Sequence, residues 1–182
     1  MSFYQKKSAD ELKRLRESGK RLSAVLATVA AVVAPGVSTE DLDRIAEREI
    51  RACGGLPIFK GYGAEWGKPF PASLCTSINE EVVHGIPNPK RIIQEGDLVK
   101  LDIGLRFEGM VSDMARTIAV GPVTAEAQHL LDVTRESLDR GIAAAKAGGH
   151  MSDYALAVQP YAEANGCPVA RDRVGHGVGH AA

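Results

Sequence analysis

The sequence has little net charge, no long apolar run and few cysteines. Its formal net charge is −1 over 182 residues, and no cluster of Lys and Arg marks one face, which disfavours nucleic acid as the main partner. No apolar run reaches about 18 residues, and the N-terminus has no apolar signal core. Neither a membrane span nor a secretory signal is therefore predicted, and we expect a cytoplasmic protein.

The three cysteines, Cys53, Cys75 and Cys167, are odd in number and far apart in sequence. This spacing disfavours a disulfide framework and a cysteine-type zinc site, and free thiols are the better interpretation. What the sequence does have is 45% hydrophobic and 25% charged residues. That composition is typical of a globular chain that buries a core, and the length fits a single domain.

Apolar residues at helical spacing predict two pairs of helices. A capping box at Ser8 and Glu11 begins the first helix, and residues 34–36 end it. A second helix is expected over about 39–53. The later pair is expected over about 124–146 and after Ser152, with Pro160 kinking or breaking the last helix.

Alternating and apolar runs predict four strands between the helix pairs. The last two, "GDLVKLDIGLRF" and "MVSDMARTIAV", are joined through Glu108-Gly109. The other two strand-like stretches are "LPIFKGYG" and "SLCTSIN", at residues 56–63 and 73–79.

The two predicted helix pairs share one layout at an offset of 113 residues, from Ala34 to Ala147 and from Thr39 to Ser152. Each has an Ala-rich helix, a Gly stop, a Ser or Thr cap, a second helix and a further Gly stop. Such an internal similarity suggests a duplicated half-domain. The alternative is chance, since amphipathic helix pairs with Gly stops are common.

Two aspartates stand in the last two strands, which are otherwise mostly apolar. With a two-residue loop at Glu108-Gly109, Asp102 and Asp113 lie on one face on a diagonal of about 7–8 Å; with the loop at Phe107-Glu108 they lie directly opposite. Either arrangement suits a pair of divalent ions about 3.5–4 Å apart. The alternative is an exposed Asp113 beside the turn and a salt-bridged Asp102, for which the candidate cations are Lys100 and Arg116.

Two histidines could serve a site near these carboxylates. His176 lies between two glycines in "VGHGVGH", and an imidazole beside carboxylates favours Mn, Fe, Co or Zn over Ca. His84 precedes Gly85 and a Pro-rich turn, with no acid on its face, which is typical of a hydrogen-bonding residue at the rim of a site. For both histidines the alternative is an ordinary loop residue.

Three motifs, "TSINEEVVHGIP", "GDLVKLDIGLRFEGMVSDMARTIAVG" and "VGHGVG", resemble the type I methionine aminopeptidases in order and spacing over nearly the whole chain. The resemblance implies an α/β (α+β) pita-bread fold, in which a pseudo-two-fold axis relates two halves, each a helix pair plus antiparallel sheet. Residues 1–182 would be a single catalytic domain, with a first half at about 1–121 and an incomplete second half at about 122–182. The implied activity is removal of the N-terminal methionine from nascent proteins and peptides by two-metal hydrolysis.

Carried over by position, the resemblance implies the residues of the site. Asp102, Asp113 and His176 would bind two divalent ions (Co, Mn, Fe or Zn), with Asp113 bridging them. His84 would be a catalytic and substrate-binding residue near the scissile peptide. The methionine pocket would be lined by Tyr62, Phe70 and Cys75, after a longer loop at residues 64–69 than the family usually has.

The sequence departs from the family at its end. The family completes its metal ligands with two glutamates, and adds a second substrate histidine, downstream of "GHGVG", whereas this chain ends at Ala182. We therefore expect weak metal binding, little activity from the 182 residues alone, and association or aggregation. The expected partners are Met-starting N-termini and, as a further candidate, the ribosome. The alternatives are a catalytically impaired pita-bread module that binds peptides or proteins, and a prolidase-type dipeptidase, which the "SINEEVVHGIP" form disfavours.

Overall fold

The computed structural model describes residues 6–181 as four α-helices and one four-stranded antiparallel sheet. The chain forms two compact units. One comprises the residues up to Pro122 together with the segment from His176, and the other comprises Val123–Gly175. In chain order the elements are α1 (Ala9–Ala31), α2 (Thr39–Ala52), β1 (Leu56–Pro57), β2 (Leu74–Ile78), β3 (Leu98–Phe107), β4 (Met110–Ala119), α3 (Ala125–Ala144) and α4 (Met151–Ala164).

The sheet of the first unit is built around β3. Strand β4 pairs with β3 along all ten of its residues. Strand β2 and the two-residue β1 pair with β3 on its other edge. The strand predicted over residues 56–63 is therefore mostly wrong: after Pro57 the chain turns, because Gly61 and Gly63 adopt positive φ.

Helices α1 and α2 cover one face of this sheet. The predicted capping box of Ser8 and Glu11 is present at the start of α1, and Ser38 with Asp41 forms another at α2. Apolar side chains from both helices meet every second residue of the strands, as the two periodicities require. The fully buried members of this core are Leu22, Val29, Leu42, Ala46, Ile50, Leu74, Val99, Leu101, Ile103 and Leu105.

The second unit is the helix pair α3 and α4. Gly141 of α3 lies against α4, since a Cβ added there would come within 2.5 Å of the Tyr154 ring. The start of α4 was predicted wrongly, and the predicted break at Pro160 does not occur. The helix begins one residue after His150, whose N–H donates to the Asp153 carboxylate at 2.8 Å, so Ser152 is not its cap. It also continues through Pro160, so the proline does not break it.

Candidate metal and peptide site

The turn between β3 and β4 fixes the register of the two aspartates. Glu108 and Gly109 both have positive φ, 47° and 80°, as a two-residue type I′ hairpin loop requires. Phe107 consequently pairs with Met110, and Asp113 lies opposite Gly104. Of the two loop positions that the sequence allows, the structure has the one at Glu108-Gly109, which puts both carboxylates on one face.

The two carboxyl groups lie within hydrogen-bonding reach of each other and are partly buried. Burial, and after it the negative charge of Asp113, raise the pKa of Asp102 to about 6. Burial also raises the pKa of Asp113. The Lys100 ammonium donates to the Asn79 carbonyl at 2.6 Å. Among residues 6–181 no ion pair joins Asp102 to Lys100 or Arg116.

His176 is the third predicted ligand, and it lies beside this pair. Its Nε2 atom is 3.9 Å from the Asp113 Oδ2 atom, and its side chain is half exposed. Within residues 6–181 no three His, Cys, Asp or Glu side chains are close enough together to hold an ion. The donor chemistry nevertheless suits a divalent cation, because two partly buried carboxylates repel one another and an imidazole lies beside them.

Cys75 lies on the same face of the sheet, opposite Asp102. It is buried, and burial together with the carboxylate of Asp102 raises the pKa of its thiol to about 12. The thiol is therefore a neutral, apolar group beside the carboxylates, which suits the wall of a pocket better than a metal ligand.

Tyr62 and Phe70 are brought together by their backbones. The Phe70 N–H donates to the Tyr62 carbonyl at 2.7 Å, and the Gly61 N–H donates to the Phe70 carbonyl at 2.8 Å. The long loop between them folds into a short 3-10 turn that places Trp66 edge-to-face on Tyr62, with ring centroids 5.7 Å apart. Both rings are about two-thirds exposed, so the loop presents an aromatic surface.

His84 is held at the edge of β2 by its neighbour Gly85. The Gly85 carbonyl accepts the Thr76 N–H, and the Gly85 N–H donates to Ser77 Oγ, both at 2.9 Å. A Cβ at Gly85 would come within 2.1 Å of the Thr76 carbonyl oxygen, so only glycine allows this approach. His84 itself is exposed and has a positive φ of 60°.

One part of the neighbourhood escaped sequence reasoning. Ile58 and Phe59 lie directly against Gly104, the residue opposite Asp113, since a Cβ there would be 2.6 Å from the Ile58 side chain. The available signal was Gly104 itself, because a glycine inside a strand often marks a close approach.

Comparison with known proteins places the chain in a family. The model for metallopeptidase family M24 matches residues 13–182. The methionine aminopeptidase of Clostridium acetobutylicum is 43% identical over 173 residues, which cover 95% of this chain and 67% of the relative. The chain belongs to metallopeptidase family M24. Methionine aminopeptidase B of Synechocystis is 44% identical, over 94% of this chain and 63% of its own length.

The fold agrees with that of solved M24 structures. The crystal structure of methionine aminopeptidase from Thermotoga maritima superposes with a TM-score of 0.91 at 34% identity, and covers 97% of this chain and 69% of that one. The predicted family and pita-bread fold are therefore confirmed, and the non-catalytic alternative is not favoured. The chain spans about two thirds of the length of these relatives. Membership of a metallopeptidase family implies that divalent metal is part of its chemistry.

The sequence predicts no membrane span, and the helices of the structure can be compared with this prediction. In the described part of the chain, none of them combines the length and apolar character that crossing a bilayer requires.

Proposed function

We propose that this chain removes the N-terminal methionine from peptides and nascent proteins, using two divalent ions held by Asp102, Asp113 and His176. The observation that carries the proposal is the carboxylate pair on the β3–β4 hairpin with an imidazole 3.9 Å from one of its oxygens. Mn, Co, Fe and Zn are the candidate ions, since all accept mixed carboxylate and imidazole ligands. When bound, such a pair of ions supplies Lewis acidity toward a scissile carbonyl and an attacking water.

The proposal gives each of the protein's residues around the ions a separate role. Asp113, with the more central position between Asp102 and His176, is proposed as the bridging ligand. The exposed imidazole of His84 is positioned by the Gly85 backbone to hydrogen bond the substrate peptide or to transfer a proton there. The neutral Cys75 thiol and the rings of Tyr62 and Phe70 would surround a methionine side chain, whose sulfur packs favourably on ring edges.

Metal binding tests the ligand assignment on the 182-residue chain. We expect Asp113→Asn to weaken Mn²⁺ or Co²⁺ binding more than Asp102→Asn does, because a neutralised bridge disturbs both ions. Calorimetric titration measures both affinities, with Asp132→Asn as a control that removes an exposed carboxylate from α3. Wild-type affinity in both site variants would contradict the two-metal site on the hairpin.

Methionine release tests the activity. Because the relatives are longer than the matched segment, the assay compares the chain alone with a chimera that adds the remaining third of the Clostridium acetobutylicum enzyme after Ala182. Met-Ala peptides are incubated with added Mn²⁺ or Co²⁺, and free methionine is quantified. We expect release by the chimera and little by the chain alone. A folded, metal-loaded chimera that is inactive while the Clostridium enzyme is active would contradict the proposed function.

His84→Ala in the same chimera separates ligands from substrate contacts. We expect metal affinity to be nearly unchanged and turnover to fall about 10²–10⁴-fold, the usual effect of removing a positioned acid or base. Loss of metal from this variant would show instead that His84 is a ligand. Nascent chains as substrates, contact with the ribosome and a cytoplasmic location remain predictions from the sequence.

A further inference from the structure

Glu11 uses its two carboxylate oxygens for different purposes. Oε2 accepts the Ser8 N–H at 2.7 Å, which completes the capping box of α1. Oε1 lies 3.0 Å from Nε2 of His180, a residue that is distant in sequence. The Glu11 side chain is only 19% exposed. Capping the helix requires one oxygen, so the cap does not explain the second contact.

The segment that carries His180 is the glycine-rich segment 176–181. It has no regular secondary structure, and Gly175 and Gly177, on either side of His176, have no neighbouring atom where a side chain would begin. Packing therefore does not hold either flanking glycine, and glycines on both sides allow the backbone at His176 wide freedom.

This segment is docked a few residues further on. The Gly179 carbonyl accepts the N–H of Val111, on β4, at 2.6 Å. Gly179 is buried, and the Lys7 side chain covers it so closely that an added Cβ would lie 2.4 Å from its Cε. The contact between His180 and Glu11 adjoins this anchor.

The position of the anchor determines where His176 lies. Val111 and Asp113 are two residues apart on β4, so their side chains project from the same face. If the segment 176–181 runs antiparallel to β4, then placing Gly179 beside Val111 places Gly177 beside Asp113. His176, the next residue, then also lies near Asp113. The observed 3.9 Å between His176 Nε2 and Asp113 Oδ2 agrees with this register.

We propose that Glu11 is a positioning residue for the metal site: its carboxylate holds His180, and so fixes the segment 176–181 along β4 in the register that presents His176 to Asp113. The metal role of His176 rests on the proposed function, whereas the docking of the segment does not. A carboxylate is suited to this purpose, because it attracts a protonated imidazole and is also a strong acceptor for the N–H of a neutral one.

The hydrogen-exchange rate of the Val111 amide measures how often the segment 176–181 leaves β4, because this N–H donates to the Gly179 carbonyl when the segment is docked. The experiment uses the metal-free 182-residue chain. Glu11→Gln keeps an oxygen for the cap and removes the charge, and we expect Val111 to exchange about fivefold faster, as loss of a partly exposed carboxylate–imidazole contact predicts. The matched control is Glu17→Gln, which removes the same charge from α1 where Glu17 pairs with Arg21; its Val111 exchange should match wild type.

A double variant and a cap variant distinguish docking from helix stability. His180→Gln should act like Glu11→Gln, and combining the two should add nothing further, because both remove one interaction. His180→Arg, which keeps a cation opposite Glu11, should retain protection. Ser8→Ala weakens the cap and leaves the contact between Glu11 and His180, so exchange at Val111 should stay near the wild-type rate. Equal acceleration in Ser8→Ala and Glu11→Gln, or wild-type exchange in a folded Glu11→Gln, would overturn the proposal.

Measuring the Mn²⁺ affinity of the variants then tests whether docking of the segment 176–181 affects the proposed metal site. Glu11→Gln should weaken Mn²⁺ binding about fivefold, in parallel with the loss of Val111 protection, and His176→Ala should weaken it at least as much. Unchanged affinity in Glu11→Gln alongside a clear loss in His176→Ala would overturn the positioning role. Unchanged affinity in His176→Ala would instead show that the ligand assignment of the proposed function is wrong, and Val111 exchange would still decide whether Glu11 docks the segment.

Discussion

The two helix pairs have the same layout and very different surroundings. At the offset of 113 residues, Val25 of α1 corresponds to Leu138 of α3, and Val29 corresponds to Ile142. The α1 residues are 4% and 0% exposed, whereas the α3 residues are 51% and 61% exposed. The apolar pattern is thus repeated along the chain, but its burial within each unit is not.

The sheet accounts for the difference. In the first unit, α1 and α2 place their apolar stripes on the face formed by Leu101 and its neighbours. In the second unit, α3 and α4 pack on each other through Gly141, which leaves most of the stripe uncovered within that unit. Helical periodicity therefore shows which residues can be buried, and the strands of the same unit determine which are buried.

The largest expected effect comes from the same substitution in the two pairs. Leu26→Ala, at a residue 2% exposed, should lower the free energy of unfolding by about 2–5 kcal/mol, because it removes buried methyl groups and leaves a cavity. Leu138→Ala should lower it by less than about 1 kcal/mol. Urea unfolding followed by circular dichroism measures both. Equal losses would mean that Leu138 is buried in solution, by self-association or by other contacts.

A smaller effect is expected from the proline in α4. Pro160 cannot donate to the carbonyl of Leu156, so Pro160→Ala should restore a helical hydrogen bond and stabilise the second unit by about 1–3 kcal/mol. Amide exchange along α4 should slow, while exchange in α1 stays unchanged. Gln159→Ala, at the exposed neighbouring position, is the control. Faster exchange in Pro160→Ala would show that the proline is needed for packing.

The helix caps should be alike in the two units. Ser38 Oγ accepts the Asp41 N–H at 3.1 Å, and Thr124 Oγ1 accepts the Ala127 N–H at the same distance. Alanine at either position should cost about 1 kcal/mol, because the bond is local and needs no sheet. Asparagine, which also caps, should restore most of the loss. A loss confined to Ser38→Ala would mean that even caps depend on the surrounding core.

The last expected effect depends on pH and concerns Glu47 of the first unit. Hydrogen bonds from Lys60 and then Arg51 lower the pKa of Glu47 to about 2, from an ordinary value of 4.5. The stabilisation is therefore complete above pH 4.5 and is lost as pH falls toward 2. Because these groups are partly exposed, Glu47→Gln should cost only about 1 kcal/mol at pH 6, and a small part of that at pH 2, where the Glu47 carboxyl is about half protonated in the folded state. A loss that is as large at pH 2 as at pH 6 would assign the effect to packing.

Local chemistry explains what could be predicted from the sequence. The shared face of Asp102 and Asp113 could be predicted, because it follows from either loop position that the sequence allows; the register itself is decided by the positive φ of Glu108 and Gly109. The contact between Glu11 and His180 could not be predicted, because no pattern joins residues so far apart. The start of α4 at Met151 was missed for another reason: the helix is preceded by His150, whose N–H donates to the Asp153 carboxylate, and histidine is not among the residues that usually mark a helix start.

The hairpin also bears on the order in which the site is assembled as the chain is made. Asp102 and Asp113 are joined by a tight turn, and hairpins form in about 1–10 μs. His176 is 63 residues beyond Asp113, which at about 5–20 residues per second requires roughly 3–13 s of further synthesis. On the ribosome, the carboxylate pair can therefore exist for seconds before its histidine has been made. If the proposed ligands are right, a cation captured during that interval would meet two acids first and an imidazole last, so the early part of the proposed site would favour hard ions and the complete site transition metals.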